Sequence, residues 1–342
     1  MKILVTGFGT RHVNSDRVQL PIATGVTALV ELLREGGHDV DWRAVTPGEP
    51  LVGKYERALV VVIPPNSLTA RYCLGGLWAL SEFGLGACDV VIDDWQTKQI
   101  TSGARTQARE PARMWKELLN RVGREECLAS PALKATIESV VRVMAGDAWP
   151  WRTWAPLFRY GNPYALSLPA TSYVAYDPSM YFWRQKDKPE VLKHYLPPEH
   201  RVRQWVSASL LSKQDWLDKT KVTWPVSKLG NIKQGQPRLP EDDVLRAYGA
   251  SWGVLSCPHD HASSGWWRAR YPFAALMGAV LFGSYKETKD LGESYRHFGA
   301  KEIEDLPTEG LSKLAQRQCA DFLKLAVPYD ELKELVCVGA WA

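Results

Sequence analysis

Short apolar runs alternate with longer amphipathic stretches from the first residues of the chain. Lys2 to Thr6 reads as a buried strand, followed by a Gly7-Phe8-Gly9-Thr10 turn and a helix from about Ile22 to Arg34 that ends at Gly36-Gly37. Val40 to Arg43 and Arg57 to Ile63 predict two more strands, Arg71 to Phe83 a helix, and Cys88 to Ile92 a fourth strand that runs into Asp93-Asp94. Strands that alternate with helices imply a parallel sheet. Ligands of such sheets collect at the carboxyl ends of the strands, so Gly7 to Asn14, Pro64 to Ser67 and Asp93 to Gln96 are expected along one crevice.

Helices are predicted around Glu110 to Val122 and Pro131 to Met144, and the stretch Trp149 to Pro169, rich in Trp, Pro, Gly and Tyr, reads as the passage between two halves. The second half repeats the alternation less cleanly. Its strands are expected near Tyr173 to Tyr176, Val202 to Ser207, Lys221 to Trp224 and Gly253 to Ser256, with helices near Lys213 to Lys219 and Glu241 to Tyr248. A helix from about Arg268 to Leu276 leads into a strand from Gly278 to Phe282, and Leu311 to Leu325 and Tyr329 to Leu335 predict amphipathic terminal helices.

Length supports this division, because 342 residues exceed the size at which single cores stop growing. The fold class expected is α/β, with two Rossmann-like domains facing a central cleft. With 45% hydrophobic and 23% charged residues the composition is that of a globular protein. The opening apolar run is too short for a signal peptide and no later run has the length of a membrane helix, so no membrane association and a cytoplasmic location are expected. The six cysteines form no C-x-x-C pair, which argues against a disulfide framework or a zinc ribbon.

A net charge of +4 is too small to imply nucleic-acid binding by itself. Its distribution says more. Between Lys98 and Arg124, seven cations including Arg105, Arg109, Arg113 and Lys116 stand against Glu110 and Glu117, at spacings near those of one helix face. That face could follow a row of phosphates or simply be solvated.

Several local patterns can carry chemistry. Gly7-x-Gly9 lacks the third glycine of a dinucleotide fingerprint, since position 12 is His12, so it reads as a tight turn or as a loop touching sugar or acceptor. Asp93-Asp94 stands at a strand end, where a carboxylate can take a proton from an attacking hydroxyl or cap the next turn. Cys257-Pro258-His259-Asp260-His261 carries zinc-ligand types, yet Pro258 and Ala262 to Gly265 suggest a loop and no partner cluster exists elsewhere. It reads as a polar binding loop for nucleotide or sugar, a structural turn, or a metal site, in that order. The loop feeds Trp266-Trp267-Arg268-Ala269-Arg270 at a helix start, where arginines would bind a pyrophosphate and stabilise charge developing on a leaving diphosphate.

The layout resembles the phage DNA β-glucosyltransferases, GT-B enzymes that transfer glucose from UDP-glucose to hydroxymethylated bases in duplex DNA. The likeness is one of pattern over most of the chain. It includes the Met1-Lys2-Ile3 opening, Ala58-Leu59-Val60-Val61-Val62, the acid-ended Val90-Val91-Ile92-Asp93-Asp94, and the late helix and strand from Arg270 to Phe282. The resemblance implies Asp94 as the base, Arg270 as a diphosphate contact, and phosphate contacts after the first strand of the second domain. There this chain has Ser207-Ala208-Ser209-Leu210-Leu211-Ser212-Lys213, with only Lys213 charged. A second departure is that the family's ribose-binding Glu falls near Phe273 here.

On this resemblance the expected function is transfer of a sugar from a nucleotide diphosphate donor, UDP-glucose or similar, to a 5-hydroxymethyl type pyrimidine in duplex DNA, with inversion. Residues 1–165 would form the acceptor domain, 166–310 the nucleotide-sugar domain, and 311–342 helices packing across both. Asp94 and Asp93 would be catalytic. Arg270, Arg268, Lys213, Ser209, His259, Asp260, His261 and Gly9 would hold the donor, and Lys98, Arg105, Arg109, Arg113 and Trp95 the DNA. No tightly bound metal is expected, with Mg2+ the ion a diphosphate would bring, and a phage-encoded protein would act in the host cytoplasm. The rival expectations are a GT-B enzyme acting on a small molecule or protein, a nonenzymatic nucleotide- or DNA-binding protein, and a metal-dependent hydrolase centred on His259 and His261.

Overall fold

The computed structural model describes residues 1–7, 24–46, 48–62, 74–84, 86–92, 151–156, 173–176, 180–207, 218–229, 241–256, 270–283, 288, 291–296, 299–325, 328–334 and 336–337. They divide into two compact units. The first comprises Met1–Leu157, Asn162–Pro178 and Pro328–Ala342, and the second Phe158–Gly161 and Ser179–Val327.

The first unit is built on β1 (Lys2–Gly7), α1 (Thr24–Glu35), β2 (Asp39–Trp42), β3 (Arg57–Val62), α2 (Leu74–Phe83), β4 (Cys88–Ile92), β5 (Thr153–Pro156) and β6 (Tyr173–Tyr176). Its six strands pair in the order β2-β1-β3-β4-β5-β6, all parallel. Ile3, Leu4, Val5, Ala58, Leu59, Val60 and Val61 are each no more than 1% exposed, which is why these strands read as unbroken apolar runs rather than as alternations.

One charge interrupts that core. Asp89, in the middle of β4, is buried and accepts from Arg57 Nη2 at 3.2 Å, Arg152 Nη2 at 2.7 Å and Trp154 Nε1 at 3.0 Å. Three donors from neighbouring strands and their flanks satisfy the carboxylate, as a buried charge requires. The unit is completed from the far end of the sequence by α9 (Tyr329–Glu334) and the turn after it. Tyr329 Oη donates to Glu35 of α1, and Cys337 Sγ donates to the Leu32 carbonyl at 3.3 Å.

The second unit comprises α3 (Met180–Lys186), α4 (Pro189–Leu192), β7 (Val202–Ser207), β8 (Val226–Lys228), α5 (Glu241–Gly249), β9 (Ser251–Ser256), α6 (Arg270–Leu276), β10 (Val280–Gly283), α7 (Ala300–Glu304) and α8 (Thr308–Leu325). Its four strands are again all parallel, in the order β10-β9-β7-β8. Trp205, Trp252 and Leu255 of the sheet pack against Ile303, Leu311 and Leu314 of α7 and α8. The abundance of tryptophan is thus partly a matter of packing: Trp151, Trp154, Trp205 and Trp252 are among the largest fully buried side chains.

Two elements differ from the reading of the sequence. Tyr173–Tyr176, expected with the second half, pairs with β5 and closes the first sheet as its edge strand. Lys221 to Trp224, expected as a strand, lies outside the sheet, and the strand is Val226–Lys228 just after it. The cause is Glu304: its buried carboxylate takes the amides of Thr223 and Trp224 at 2.8 Å each, together with the Thr223 hydroxyl and Trp205 Nε1, so those amides are unavailable to a ladder. Lys221 also has φ 51, which no strand tolerates. The helices expected at Glu110 to Val122 and Pro131 to Met144 lie outside the described residues.

Candidate functional site

Both sheets being parallel, each unit has one edge at which every strand ends, and segments leaving that edge are where this architecture binds ligands. β1 ends at Gly7, and Gly9 follows two residues later; β4 ends at Ile92, with Asp93, Asp94 and Trp95 next in sequence. In the second unit β7 ends at Ser207, ahead of Ser209 and Lys213, and β9 ends at Ser256, ahead of His259, Asp260 and His261. Gly9, Asp93, Asp94, Trp95, Lys98, Arg105, Arg109, Arg113, Ser209, Lys213, His259, Asp260, His261 and Arg268 lie outside the described residues. Arg270 is described as the first residue of α6, without its side chain.

The described frame beneath these segments is tightly specified. Gly7 has φ +102, and a Cβ there would stand 2.4 Å from the Val61 carbonyl oxygen of β3, so only glycine ends β1 in this way. Across the face, α2 begins Leu74-Gly75-Gly76, and a Cβ on Gly76 would come within 2.7 Å of Val60 Cγ1. Gly76 thus lets the first turn of α2 lie close on Val60 of β3 and Gly7 at the end of β1, while Gly75 faces the Val45 carbonyl. Thr6 pairs with Val60 in register and shares its face, and its buried hydroxyl has no hydrogen-bond partner among the described residues.

In the second unit β7 and β9 end in buried hydroxyl groups: Ser207 and Ser256 are 1% and 0% exposed. Ser256 Oγ donates to Tyr271 Oη at 3.1 Å, joining the end of β9 to the first turn of α6. From Tyr271 to Met277 every residue is apolar or aromatic and buried, so this stretch is enclosed rather than amphipathic.

The other end of α6 is held by Arg201. Its guanidinium donates to the Met277 and Gly278 carbonyls at 2.6 and 2.5 Å and its Nε to the Leu196 carbonyl at 2.8 Å, while the Tyr195 and Trp252 rings flank it at 4.7 and 5.3 Å. A cation at the carbonyl end of a helix is favourable both as a cap and against the dipole. Burial pushes the Arg201 guanidinium below its ordinary value, with Tyr195 acting in the opposite sense. Ser256, Tyr271 and Arg201 were not among the candidates from sequence. The one visible signal was the polar residue that ends the apolar run of β9. Among the described residues, no group of three or more His, Cys, Asp or Glu side chains could hold a metal ion. No described helix is long and apolar enough to cross a membrane.

No family model matches the chain, and no curated protein matches it. Solved structures do. Phage T4 BGT in complex with UDP and Mn2+ is similar over 99% of this chain and 100% of its own, at 11% identity and a TM-score of 0.58. A phage T4 β-glucosyltransferase structure concerned with substrate binding and catalytic mechanism covers 98% and 96% at 11% identity and TM-score 0.54. A structure of the DNA modifying enzyme β-glucosyltransferase, with and without uridine diphosphoglucose, covers 98% and 99% at 11% identity and TM-score 0.51. The chain therefore has the two-domain GT-B fold of these glucosyltransferases, traced over almost its whole length.

Proposed function

We propose that the chain is a glycosyltransferase that moves a sugar from a nucleoside diphosphate donor, UDP-glucose or a close analogue, to the hydroxyl of a 5-hydroxymethyl type pyrimidine in duplex DNA. The observation that carries this reading is a coincidence: the fold likeness spans nearly the whole chain, and the candidate acids, hydroxyls and basic residues follow the carboxyl ends of parallel strands.

In this reading the first unit takes the acceptor and the second the donor. Asp94 accepts the proton of the acceptor hydroxyl as its oxygen attacks the anomeric carbon, with Asp93 beside it. The bond to the diphosphate breaks on the opposite face, which inverts the sugar, and negative charge grows on the leaving group. Arg270, Arg268 and Lys213 stabilise that charge, a gain realised in the transition state. Ser209, His259, Asp260, His261 and Gly9 complete the donor contacts. Lys98, Arg105, Arg109 and Arg113 follow the DNA phosphates, and Trp95 fills the gap left by a flipped base. Mg2+ would enter with the diphosphate rather than occupy a site of its own. The setting that fits this chemistry is the cytoplasm of a phage-infected host.

The test is incubation of the full chain with UDP-glucose and hydroxymethylated duplex DNA, digestion to nucleosides and mass spectrometry. A hexosylated pyrimidine nucleoside is expected, and none from unmodified DNA. Failure to modify any hydroxymethylated pyrimidine with a panel of nucleoside diphosphate sugars overturns the DNA acceptor, and hexose transfer to a small molecule or protein instead would reassign it.

A further inference from the structure

The first sheet reverses its order between β1 and β3. From β1 the chain continues through α1 to β2 on one side, and from β3 through α2 to β4 on the other, so the ends of β1 and β3 flank the point where such sheets open a crevice. One residue at that point is out of keeping with its neighbours. Thr6, the penultimate residue of β1, follows Ile3, Leu4 and Val5 and is 0% exposed, yet its hydroxyl has no hydrogen-bond partner among the described residues. A buried hydroxyl in that state costs stability that a valine of the same shape would not.

The hydroxyl stands beside the first turn of α2. Thr6 pairs with Val60 in register, shares its face and is followed by Gly7; Val60 Cγ1 and Gly7 Cα lie nearest the place a Cβ on Gly76 would occupy, at 2.7 and 3.5 Å. Helix α2 has 10 residues, opens Leu74-Gly75-Gly76 and carries no acidic residue in its first turn. The amides of a first turn have no acceptor within the helix and point out along its axis, where the helix dipole favours negative charge. The Val45 carbonyl abuts Gly75 on its side-chain face. Consecutive glycines leave the turn without side chains to shield its amides.

We propose that the amides of Leu74, Gly75 and Gly76 and the hydroxyl of Thr6 together hold a phosphate group in the first unit. The hydroxyl donates to one phosphate oxygen and the amides to others, so the recognition uses neutral groups and a helix terminus. Because the first unit takes the acceptor in the proposed function, the phosphate assigned to this site is a backbone phosphodiester of duplex DNA; that assignment, unlike the site itself, rests on that reading. The unmet bond of Thr6 then has a use: stability is given up in the free protein and recovered when the ligand binds.

The experiment compares the full chain as wild type, Thr6→Val and Thr6→Ser. Its probes are inorganic phosphate by thermal shift, a hydroxymethylated duplex by fluorescence anisotropy, and UDP by titration calorimetry. Thr6→Val keeps the shape and removes the hydroxyl. It is expected to melt no lower than wild type, to lose the stabilisation that phosphate gives wild type, and to bind the duplex about 10- to 100-fold more weakly, the range of one hydrogen bond to a charged group. The slope of duplex affinity against salt should not change, since no cation is removed. Thr6→Ser, which keeps the donor, should restore most of the binding. A merely structural Thr6 would give the opposite pairing, a lower melting temperature with unchanged affinity of the folded protein. Thr6→Val that binds phosphate and duplex as wild type does overturns the proposal, and so does one that melts lower, since the hydroxyl would then already be partnered in the fold. A loss for phosphate and UDP with duplex binding intact keeps the site and overturns the duplex as its source. If wild type binds no duplex at all, the DNA reading fails by itself, and the inorganic phosphate arm then decides the site.

Discussion

The side-chain amide of Gln318 takes the place of a missing strand beside Leu281. Gln318 Oε1 accepts from the Leu281 amide at 2.8 Å and its Nε2 donates to the Leu281 carbonyl at 3.0 Å, closing the outer edge of β10 from helix α8. An unpaired strand edge is a template for association, and here one buried carboxamide answers both of its polar groups.

Gln318→Leu should therefore cost about 2–4 kcal/mol, because two buried backbone groups lose their partners together. Urea denaturation of the second unit, followed by near-ultraviolet circular dichroism of its tryptophans, checks the value. A stability equal to wild type would mean that the edge finds other partners.

Glu304 makes a pH prediction. Burial raises its carboxyl, but hydrogen bonds from Thr223, Trp224 and Trp205 outweigh burial and hold it below its ordinary value. A carboxyl whose folded value lies below its unfolded one stabilises the fold above the unfolded value, about pH 4.3, and loses that contribution as pH falls through the folded value. Glu304→Gln, which turns an NH2 group toward donors, should lower stability at neutral pH by about 2–3 kcal/mol, and the gap from wild type should narrow below about pH 4. Paired urea melts across that range give the answer; a gap that does not change with pH removes the charge from the account.

Asp89 and Cys88 test the first unit together. Burial pushes the Cys88 thiol far up, with the Asp89 charge adding to the rise and Arg57 opposing it, so the thiol should resist alkylation in the native state. Asp89→Asn weakens the bonds to two arginines that retain some solvent, and a loss of about 2 kcal/mol is expected. Peptide mapping after brief alkylation should show Cys88 modified faster in the variant, in step with the more frequent opening of the sheet.

Gly7→Ala should destabilise the first unit by about 2 kcal/mol or more, from the positive φ and from a methyl driven into the Val61 carbonyl. Gly76→Ala meets a side chain, Val60, rather than backbone, and should cost less, about 1–3 kcal/mol. Denaturant midpoints of the two variants rank them; the reverse order would point to a sheet that yields more easily than the helix seated on it.

Asp94→Asn should lower kcat for sugar transfer by about 10² to 10⁴ while leaving UDP affinity nearly unchanged, the signature of a lost general base. Single-turnover transfer and UDP titration separate the two effects. A variant with unaltered kcat would remove Asp94 from the chemistry.

The strands β1, β3 and β4 were legible because a strand buried on both faces announces itself as an apolar run with a polar or glycine stop, as Ile3 to Gly7 and Val90 to Asp93 do. What was not legible depended on distant partners. The sequence Lys221-Val222-Thr223-Trp224 alternates like a strand, and nothing near it reveals that Glu304 takes its amides. Tyr173-Val174-Ala175-Tyr176 is plainly a strand, but membership of the first sheet rather than the second is decided by its pairing with Thr153–Pro156, itself hidden in a Trp- and Pro-rich stretch. For the site, strand-end position was readable from the local pattern. The hydroxyl pair Ser256–Tyr271 and the Arg201 cap were not, since each joins residues brought together only by the parallel sheet and its buried helix.

The return of Tyr329 and Cys337 to α1 means that the second unit is nested within the first along the chain. During synthesis at about 5–20 residues per second, α1 must wait for the whole of the inserted unit to pass before Tyr329 and Cys337 can reach Glu35 and Leu32. The inserted unit has all its own contacts sooner, so the half that begins first is the half that is finished last.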